Sequence, residues 1–215
     1  MSKLRTKCSG CCWLESSMCL LDNQVQINDD GYYKDGYCRF QRKNKPSSLS
    51  EFYDQESKCS LILPTNNLYD IESILNSVQQ NKDQVNQVVI INQGSHTEEY
   101  NTVLIDALAE CKIPYMYENL LEDDHGIDSL VNRAVKHVQN NWFIVCNSYM
   151  DTRLIQEYLK LLKGQENNVC ALYSDSPCMC INKWAFKQLL GNVEKPWFDK
   201  LKEFENWQDA CIKIS

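Results

Sequence analysis

Residues 87–118 read QVVIINQGSHTEEYNTVLIDALAECKIPYMYE. The segment begins with an apolar run that ends at a glycine turn, which indicates a buried strand. Apolar residues then recur at positions 103, 104, 107 and 108, the spacing of one helix face, and IPYMYE predicts a second strand. Because parallel strands need a long crossover, a strand, a helix and a strand in this order indicate a parallel pair.

The same alternation continues on both sides of this unit. On the amino-terminal side, CSLILPTNN (59–67) predicts a strand and YDIESILNSVQQ (69–80) predicts a helix. On the carboxyl-terminal side, WFIVCNS (142–148) predicts a strand that lies between two helices, GIDSLVNRAVKHVQ (126–139) and TRLIQEYLKLLK (152–163). The expected apolar face of the first of these helices consists of Ile127, Leu130, Val131, Ala134, Val135 and Val138.

This pattern predicts an α/β domain over residues 58–215, with a mostly parallel sheet and helices on both faces. Ligands of such sheets bind at the carboxyl ends of the strands, so we expect the site at the turns after positions 63, 91 and 146. Cys178 and Cys180 flank one residue of a further strand, where burial is the expected role and a cluster with Cys146 or Cys170 is the alternative.

The amino-terminal part has a different composition. Five of the twelve cysteines lie within the first 38 residues, so we predict a small Cys-rich module over 1–42 and a polar, Ser-rich linker over 43–57. Because so short a segment cannot bury a sufficient core, Cys8, Cys11, Cys19 and Cys38 are expected to bind a metal. Zn²⁺ and a four-iron cluster suit four thiolates equally well, and disulfides or reduced buried thiols are the alternatives.

Charge and hydropathy narrow the functional classes. The formal net charge of −7 argues against general nucleic-acid binding, which requires a dense basic surface. No apolar run approaches the roughly 20 residues that a membrane helix needs. The first ten residues also lack the apolar core of a signal peptide, so we expect a cytoplasmic protein without a membrane span.

Two strand ends carry short motifs that resemble those of a known family. LILPTNN is similar to a Pro-Thr-x-Asn turn that helps to hold a nucleotide, through Pro64, Thr65 and Asn66. INQGS, with Asn92 and Gly94, is similar to an Asp-Asp-Gly-Ser turn whose first Asp contacts the base or ribose. These motifs, in this order, resemble the family 2 glycosyltransferases, inverting enzymes with the A-type nucleotide-sugar fold.

The resemblance extends over roughly residues 59–215 and implies further site residues. It implies that Asn132 lies near the nucleotide, and that the turn that starts at Asn147 stands where the family has an Asp-x-Asp motif, with Asp151 four residues later as a substitute metal ligand. It also implies that Glu205 stands in the Glu-Asp pair that provides the catalytic base, with Asp209 as a substitute, and that Mn²⁺ or Mg²⁺ bridges the donor phosphates if the protein is active.

The chain departs from the family pattern at the carboxylates that bind the metal ion and that provide the catalytic base. Hard cations prefer anionic oxygen ligands, and proton removal from an acceptor hydroxyl needs a carboxylate. Amides replace both kinds of group in this chain, while Asp151 also fits a helix cap and Asp209 an exposed helix residue.

Two hypotheses follow. The first is a glycosyltransferase-like protein that transfers a sugar from a nucleotide-sugar to an unknown acceptor. The second is a catalytically degenerate protein of the same fold that binds a protein partner or has a structural role, and the composition would also fit a viral protein.

Overall fold

The computed structural model describes residues 14–15, 18–19, 58–65, 79, 82–93, 98–110, 112–120, 126–146, 152–163, 170–173, 179–187, 197–205 and 207–213. In the amino-terminal part, β1 (Leu14–Glu15) and β2 (Met18–Cys19) pair antiparallel, with Leu14 opposite Cys19. The other predicted ligands, Cys8, Cys11 and Cys38, and the predicted linker lie outside the described residues. The metal-binding module therefore stays a prediction.

The main domain is built on a seven-stranded sheet with the order β5-β4-β3-β6-β8-β7-β9. The strands β3, β4, β5 and β6 pair parallel, β8 pairs antiparallel with both β6 and β7, and β7 pairs parallel with β9. Only β8 therefore runs against the common direction. The strand bounds are β3 (Cys59–Thr65), β4 (Val85–Gln93), β5 (Tyr115–Leu120), β6 (Trp142–Val145), β7 (Ala171–Tyr173), β8 (Met179–Asn182) and β9 (Cys211–Lys213).

Helices cover both faces of this sheet, because the central strands are apolar on both sides. On one face, called here the first face, α1 and α3 pack against residues such as Leu61 and Ile90. On the second face, α2 packs against Ile62 and Ile91. The helix bounds are α1 (Glu98–Glu110), α2 (Ile127–Val135), α3 (Thr152–Lys163), α4 (Lys183–Ala185), α5 (Trp197–Lys202) and α6 (Trp207–Ala210).

The predicted fold class is confirmed: a mostly parallel sheet with helices on both faces. Five of the six residues predicted for the apolar face of α2 are buried. The prediction is wrong for Ile127, which is 54% exposed. Ile127 is the first residue of the helix, where the helix has only begun to pack against the sheet. The predicted helix at 69–80 lies outside the described residues except for Gln79, which is helical.

A polar network ties the turn after α2 to the amino ends of β3 and β4. The Ser60 hydroxyl donates to Gln87 Oε1 at 2.6 Å, and Gln87 Nε2 donates to the His137 carbonyl at 2.8 Å. The Gln139 backbone N–H donates to Gln87 Oε1 at 2.9 Å, and Asn140 Nδ2 donates to Ser60 Oγ at 2.9 Å. Since Ser60 is 0% and Gln87 is 4% exposed, this network satisfies polar groups that water cannot reach.

Candidate functional site

Three neighbouring strands end in a row of polar residues. In the parallel register, Thr65 of β3 lies beside Asn92 of β4, and Asn92 lies beside Asn119 of β5. Side-chain alternation places Asn92 and Asn119 on the first face, in line with Ile90 and Tyr117. Together with Thr65, which lies beside Asn92 in the register, these residues are called here the polar row. It lies at the carboxyl edge of the sheet, where ligands of parallel α/β sheets bind.

Asn92 is the centre of the polar row and is completely buried. Its Nδ2 donates a hydrogen bond to Asn119 Oδ1 at 2.9 Å. Its Oδ1 has no hydrogen-bond partner within the part of the chain that the structure describes. Buried side-chain acceptors are usually satisfied, so the free oxygen of Asn92 is an unusual feature at the expected position of a ligand.

Tyr117 adds a second neighbour to Asn92. It precedes Asn119 by two residues on β5 and therefore lies on the same face. Burial raises the pKa of the Tyr117 hydroxyl, and a hydrogen bond with Asn92 offsets part of this rise. The side chains of Asn92, Asn119 and Tyr117 therefore lie close together on the first face of the sheet.

The residues predicted to contact the nucleotide lie on opposite faces of the sheet. Pro64 is buried beside Ile91 in the register, and alternation places it on the second face. Asn132 is half-buried on α2, which covers that same second face. The structure thus brings Thr65 and Asn92 together and places Pro64 and Asn132 on the other side. Outside the described residues lie Asn66, Gly94, Asn147 and Asp151.

The predicted catalytic carboxylates lie near β7 and β9, at the other lateral end of the sheet from β5. Asp209 comes two residues before Cys211, which pairs with the first residue of β7, so Asp209 lies towards the amino end of these two strands. Glu205 and Asp209 are exposed, and between them Trp207 packs against Tyr173, with ring centroids 6.0 Å apart. Tyr173 ends β7, which runs in the same direction as β6, so it lies at the carboxyl edge. Four strand spacings separate β4 from β7 in the sheet, about 19 Å.

The described residues do not fit a divalent metal ion. They contain no group of three or more His, Cys, Asp or Glu side chains that could hold one. The polar row offers two amides, which are weaker ligands for hard cations than carboxylates. The described residues at the carboxyl edge are therefore suited to hydrogen bonding with a ligand.

The described cysteines of the main domain are buried, as predicted for Cys180, whereas Cys178 lies outside the described residues. Cys146 and Cys180 belong to the core of the first face and Cys170 to the core of the second, so the sheet separates Cys170 from Cys180, and the alternative cluster with Cys146 stays a prediction. Cys170 instead contacts Cys211, with 3.8 Å between the two sulfur atoms. This contact and burial raise the pKa of the Cys170 thiol, which lowers the reactivity of that thiol.

A surface cavity of about 580 Å³ lies at the opposite, amino edge of the sheet. Its lining includes the amines of Lys82 and Lys112 and the carboxylates of Asp83 and Glu110. Charges of both signs therefore mix in an exposed crevice that precedes β4 and β5. This cavity lies away from the polar row and is not the predicted site.

The sequence analysis did not include Asn119 or Tyr117 in the site. The predicted strand IPYMYE ended at Glu118, whereas β5 continues to Leu120. Alternation through Tyr115, Tyr117 and Asn119 is the signal that would have placed the last two on one face.

No protein-family model and no curated protein matches the chain. Solved structures do match in fold. Glucosyl-3-phosphoglycerate synthase from Mycobacterium tuberculosis, solved with Mn²⁺, uridine diphosphate and phosphoglyceric acid, is 13% identical with a TM-score of 0.56, over 79% of this chain and 73% of that one. The mannosyltransferase PcManGT from Pyrobaculum calidifontis, solved with GDP-Man and Mn²⁺, is 11% identical with a TM-score of 0.57, over 73% of this chain and 54% of that one.

A third similar structure is S. aureus TarS 1-349, 16% identical with a TM-score of 0.54, over 74% of this chain and 58% of that one. Together these likenesses show that the main domain has the nucleotide-diphospho-sugar transferase fold. Among the described helices, none is long and apolar enough to cross a membrane.

Proposed function

We propose that this chain is a glycosyltransferase-like protein that binds a nucleotide-sugar at the carboxyl edge of β3, β4 and β5. The observation that carries the proposal is the polar row, with Thr65, Asn92 and Asn119 side by side in the register. The row contributes hydrogen-bonding groups without charge, and a nucleoside is recognised through groups of that kind. The structures of similar fold that were solved with uridine diphosphate or GDP-Man support this choice of ligand.

In the proposed function, the nucleotide-sugar donor and the acceptor bind at different ends of the carboxyl edge. The nucleoside lies at the polar row, and the acceptor lies near the end of β7, about 19 Å away along the sheet. In this arrangement Glu205 or Asp209 takes the proton from the acceptor hydroxyl, because both are exposed carboxylates within two residues of Trp207, whose ring packs against Tyr173.

The divalent ion has a separate place in the proposal. Mn²⁺ or Mg²⁺ would be held beyond the end of β6, with Asn147 and Asp151 as the candidate contacts from the sequence. Bound there, the ion would neutralise charge on the leaving diphosphate. Binding of the nucleoside to the polar row needs no ion.

A calorimetric titration of the full chain with UDP and GDP, and with UDP-glucose and GDP-mannose, tests the proposal in the presence and absence of Mn²⁺. We expect micromolar binding of at least one nucleotide. Asn92→Ala should weaken it about 10-fold, the effect of losing one well-placed hydrogen-bonding group in a buried site.

Asn86→Ala is the matched control. Asn86 lies on the same strand at the amino edge and accepts a hydrogen bond from Asn140 at 2.5 Å, so this variant also loses a polar contact. Its affinity should stay within about 2-fold of the wild type, because it lies away from the polar row. If none of the four nucleotides binds, the proposed function is refuted. If both variants lose affinity equally, the polar row is not the nucleotide-binding site.

A degenerate transferase is the second candidate, favoured by the sequence, which has Asn147 where the family begins its metal-binding motif and Asn206 in the pair that provides the base. The same titration separates the two candidates when it is followed by an assay of donor turnover. Nucleotide binding with Mn²⁺-dependent release of nucleoside diphosphate supports the enzyme. Binding without turnover in the presence of Mn²⁺ supports a binding protein that has kept the fold.

A further inference from the structure

We infer that Asn119 is a positioning residue that fixes the amide of Asn92, so that Asn92 Oδ1 accepts a hydrogen bond from a donor group of the nucleoside. The inference rests on the proposed function and adds to it a rule for which nucleoside the site accepts. It concerns a residue outside every motif of the sequence analysis, at the end of β5.

The geometry around Asn92 gives its amide one orientation. A carboxamide has nearly the same shape after a half-turn that exchanges its oxygen and its NH₂ group, so shape alone does not fix which group points where. Asn119 presents its Oδ1 to Asn92 and accepts from Nδ2 at 2.9 Å. In this orientation the oxygen of Asn92 is the group without a hydrogen-bond partner among the described residues.

The Asn92 oxygen is in an unfavourable state until a donor reaches it. Asn92 is 0% exposed, and its Oδ1 has no partner among the described residues. A buried acceptor without a partner loses its bond to water and gains nothing in return. A ligand that displaces the covering atoms and supplies an N–H or O–H group removes this cost, whereas a ligand that presents a second acceptor increases it.

Nucleosides offer two sources of such a donor. At the ring nitrogen, uracil N3 and guanine N1 carry an N–H, while cytosine N3 and adenine N1 carry a lone pair and have their donor on the exocyclic amino group instead, so each pair compares the position of the donor. The ribose hydroxyls are donors in all four nucleosides. UDP against CDP and GDP against ADP are therefore size-matched pairs that test the base, and UDP against 2′-deoxy-UDP and 3′-deoxy-UDP tests the ribose.

The experiment is calorimetric titration of the full chain with these six nucleotides, for the wild type, Asn119→Ala and Asn119→Asp. In the wild type we expect about 10-fold or greater preference for the ligand that carries the donor at the tested position, in the base arm or in the ribose arm. Asn119→Ala frees the amide to turn and should reduce the preference to about 2-fold or less. Asn119→Asp keeps an acceptor beside Nδ2 and should retain the preference.

Each outcome has a separate meaning. A preference in either arm that is lost in Asn119→Ala and kept in Asn119→Asp supports the inference. Nucleotide binding without a preference in both arms, or with a preference that survives Asn119→Ala, overturns the inference and leaves the proposed function standing. Absence of binding by all six nucleotides overturns both. The wild-type comparison needs no variant, so it decides against the inference even if Asn119→Ala does not fold.

Discussion

Replacing Gln87 by Leu should destabilise the domain without weakening nucleotide binding by the folded protein. Gln87 accepts hydrogen bonds from Ser60 and from the Gln139 backbone, and it donates one to the His137 carbonyl. Leucine has a similar size but can make none of these bonds. The three partners lie at the amino edge of the sheet, so the polar row should remain intact.

The size of the effect follows from what the substitution leaves behind. An unpaired buried polar group costs about 1–3 kcal/mol. Ser60 is 0% exposed and incurs this cost, although its oxygen still accepts from Asn140. The backbone groups of His137 and Gln139 belong to exposed residues and can recover part of their loss from water. We therefore expect a loss of about 3 kcal/mol in the free energy of unfolding.

Urea denaturation followed by circular dichroism measures this loss. Gln139→Leu is the matched control, because only the backbone N–H of Gln139 takes part in the network, and it should change stability by less than about 0.5 kcal/mol. Ser60→Ala combined with Gln87→Leu should be less destabilising than the sum of the single changes, since it removes the stranded hydroxyl. A change below about 0.5 kcal/mol for Gln87→Leu, or strict additivity in the double variant, would show that the network does not stabilise the domain as argued.

Two further predictions concern ionisable groups. Arg133 donates to Glu118 at 2.8 Å and lowers the pKa of that carboxyl below its ordinary value of 4.5. The ion pair therefore stabilises the fold above pH 4.5, and this stabilisation is lost as the pH falls through the lowered pKa. In urea melts at a series of pH values, Arg133→Met should lose less stability between neutral and acid pH than the wild type does. An equal loss in both proteins would contradict the ion pair. Contact with Cys211 and burial raise the pKa of the Cys170 thiol, and the Cys211 side chain is itself buried, so iodoacetamide at pH 8 should label both cysteines slowly in the folded protein and rapidly in urea. Peptide mass mapping reads out the labelling, and equal rates in both states would contradict their burial.

Most of the sheet was predictable from local sequence, because strands buried on both faces consist of nearly uninterrupted apolar residues. The run from Val88 to Ile91 and the run from Trp142 to Val145 identify β4 and β6 in this way. Strand order was not predictable, since local hydrophobicity does not specify which strands pair. The antiparallel β8 lies between β6 and β7 although β7 precedes it in the chain, and only the tertiary structure shows this.

The site was predictable to the extent that it follows the ends of strands. Asn92 and Thr65 were expected at the carboxyl edge, and the register places them side by side. Asn119 was not expected, because its part in the site depends on pairing between β4 and β5. The free oxygen of Asn92 could not be expected either, since it depends on which atoms of neighbouring strands meet.

In the proposed function, recognition of the nucleoside falls to the end of β4, and binding of the ion falls to residues beyond β6. An amide has nearly the shape of a carboxylate, but it has no charge and carries a donor NH₂ group in place of one acceptor oxygen, so it can orient a nucleoside while it attracts Mn²⁺ only weakly. Asn92 and Asn119 should therefore determine which nucleoside binds, with little dependence on Mn²⁺ or on salt. Any dependence on Mn²⁺ must then arise from the diphosphate and from the residues that surround it. Nucleoside selectivity and Mn²⁺ dependence thus report on different parts of the carboxyl edge, and a variant of the polar row should alter the first without altering the second.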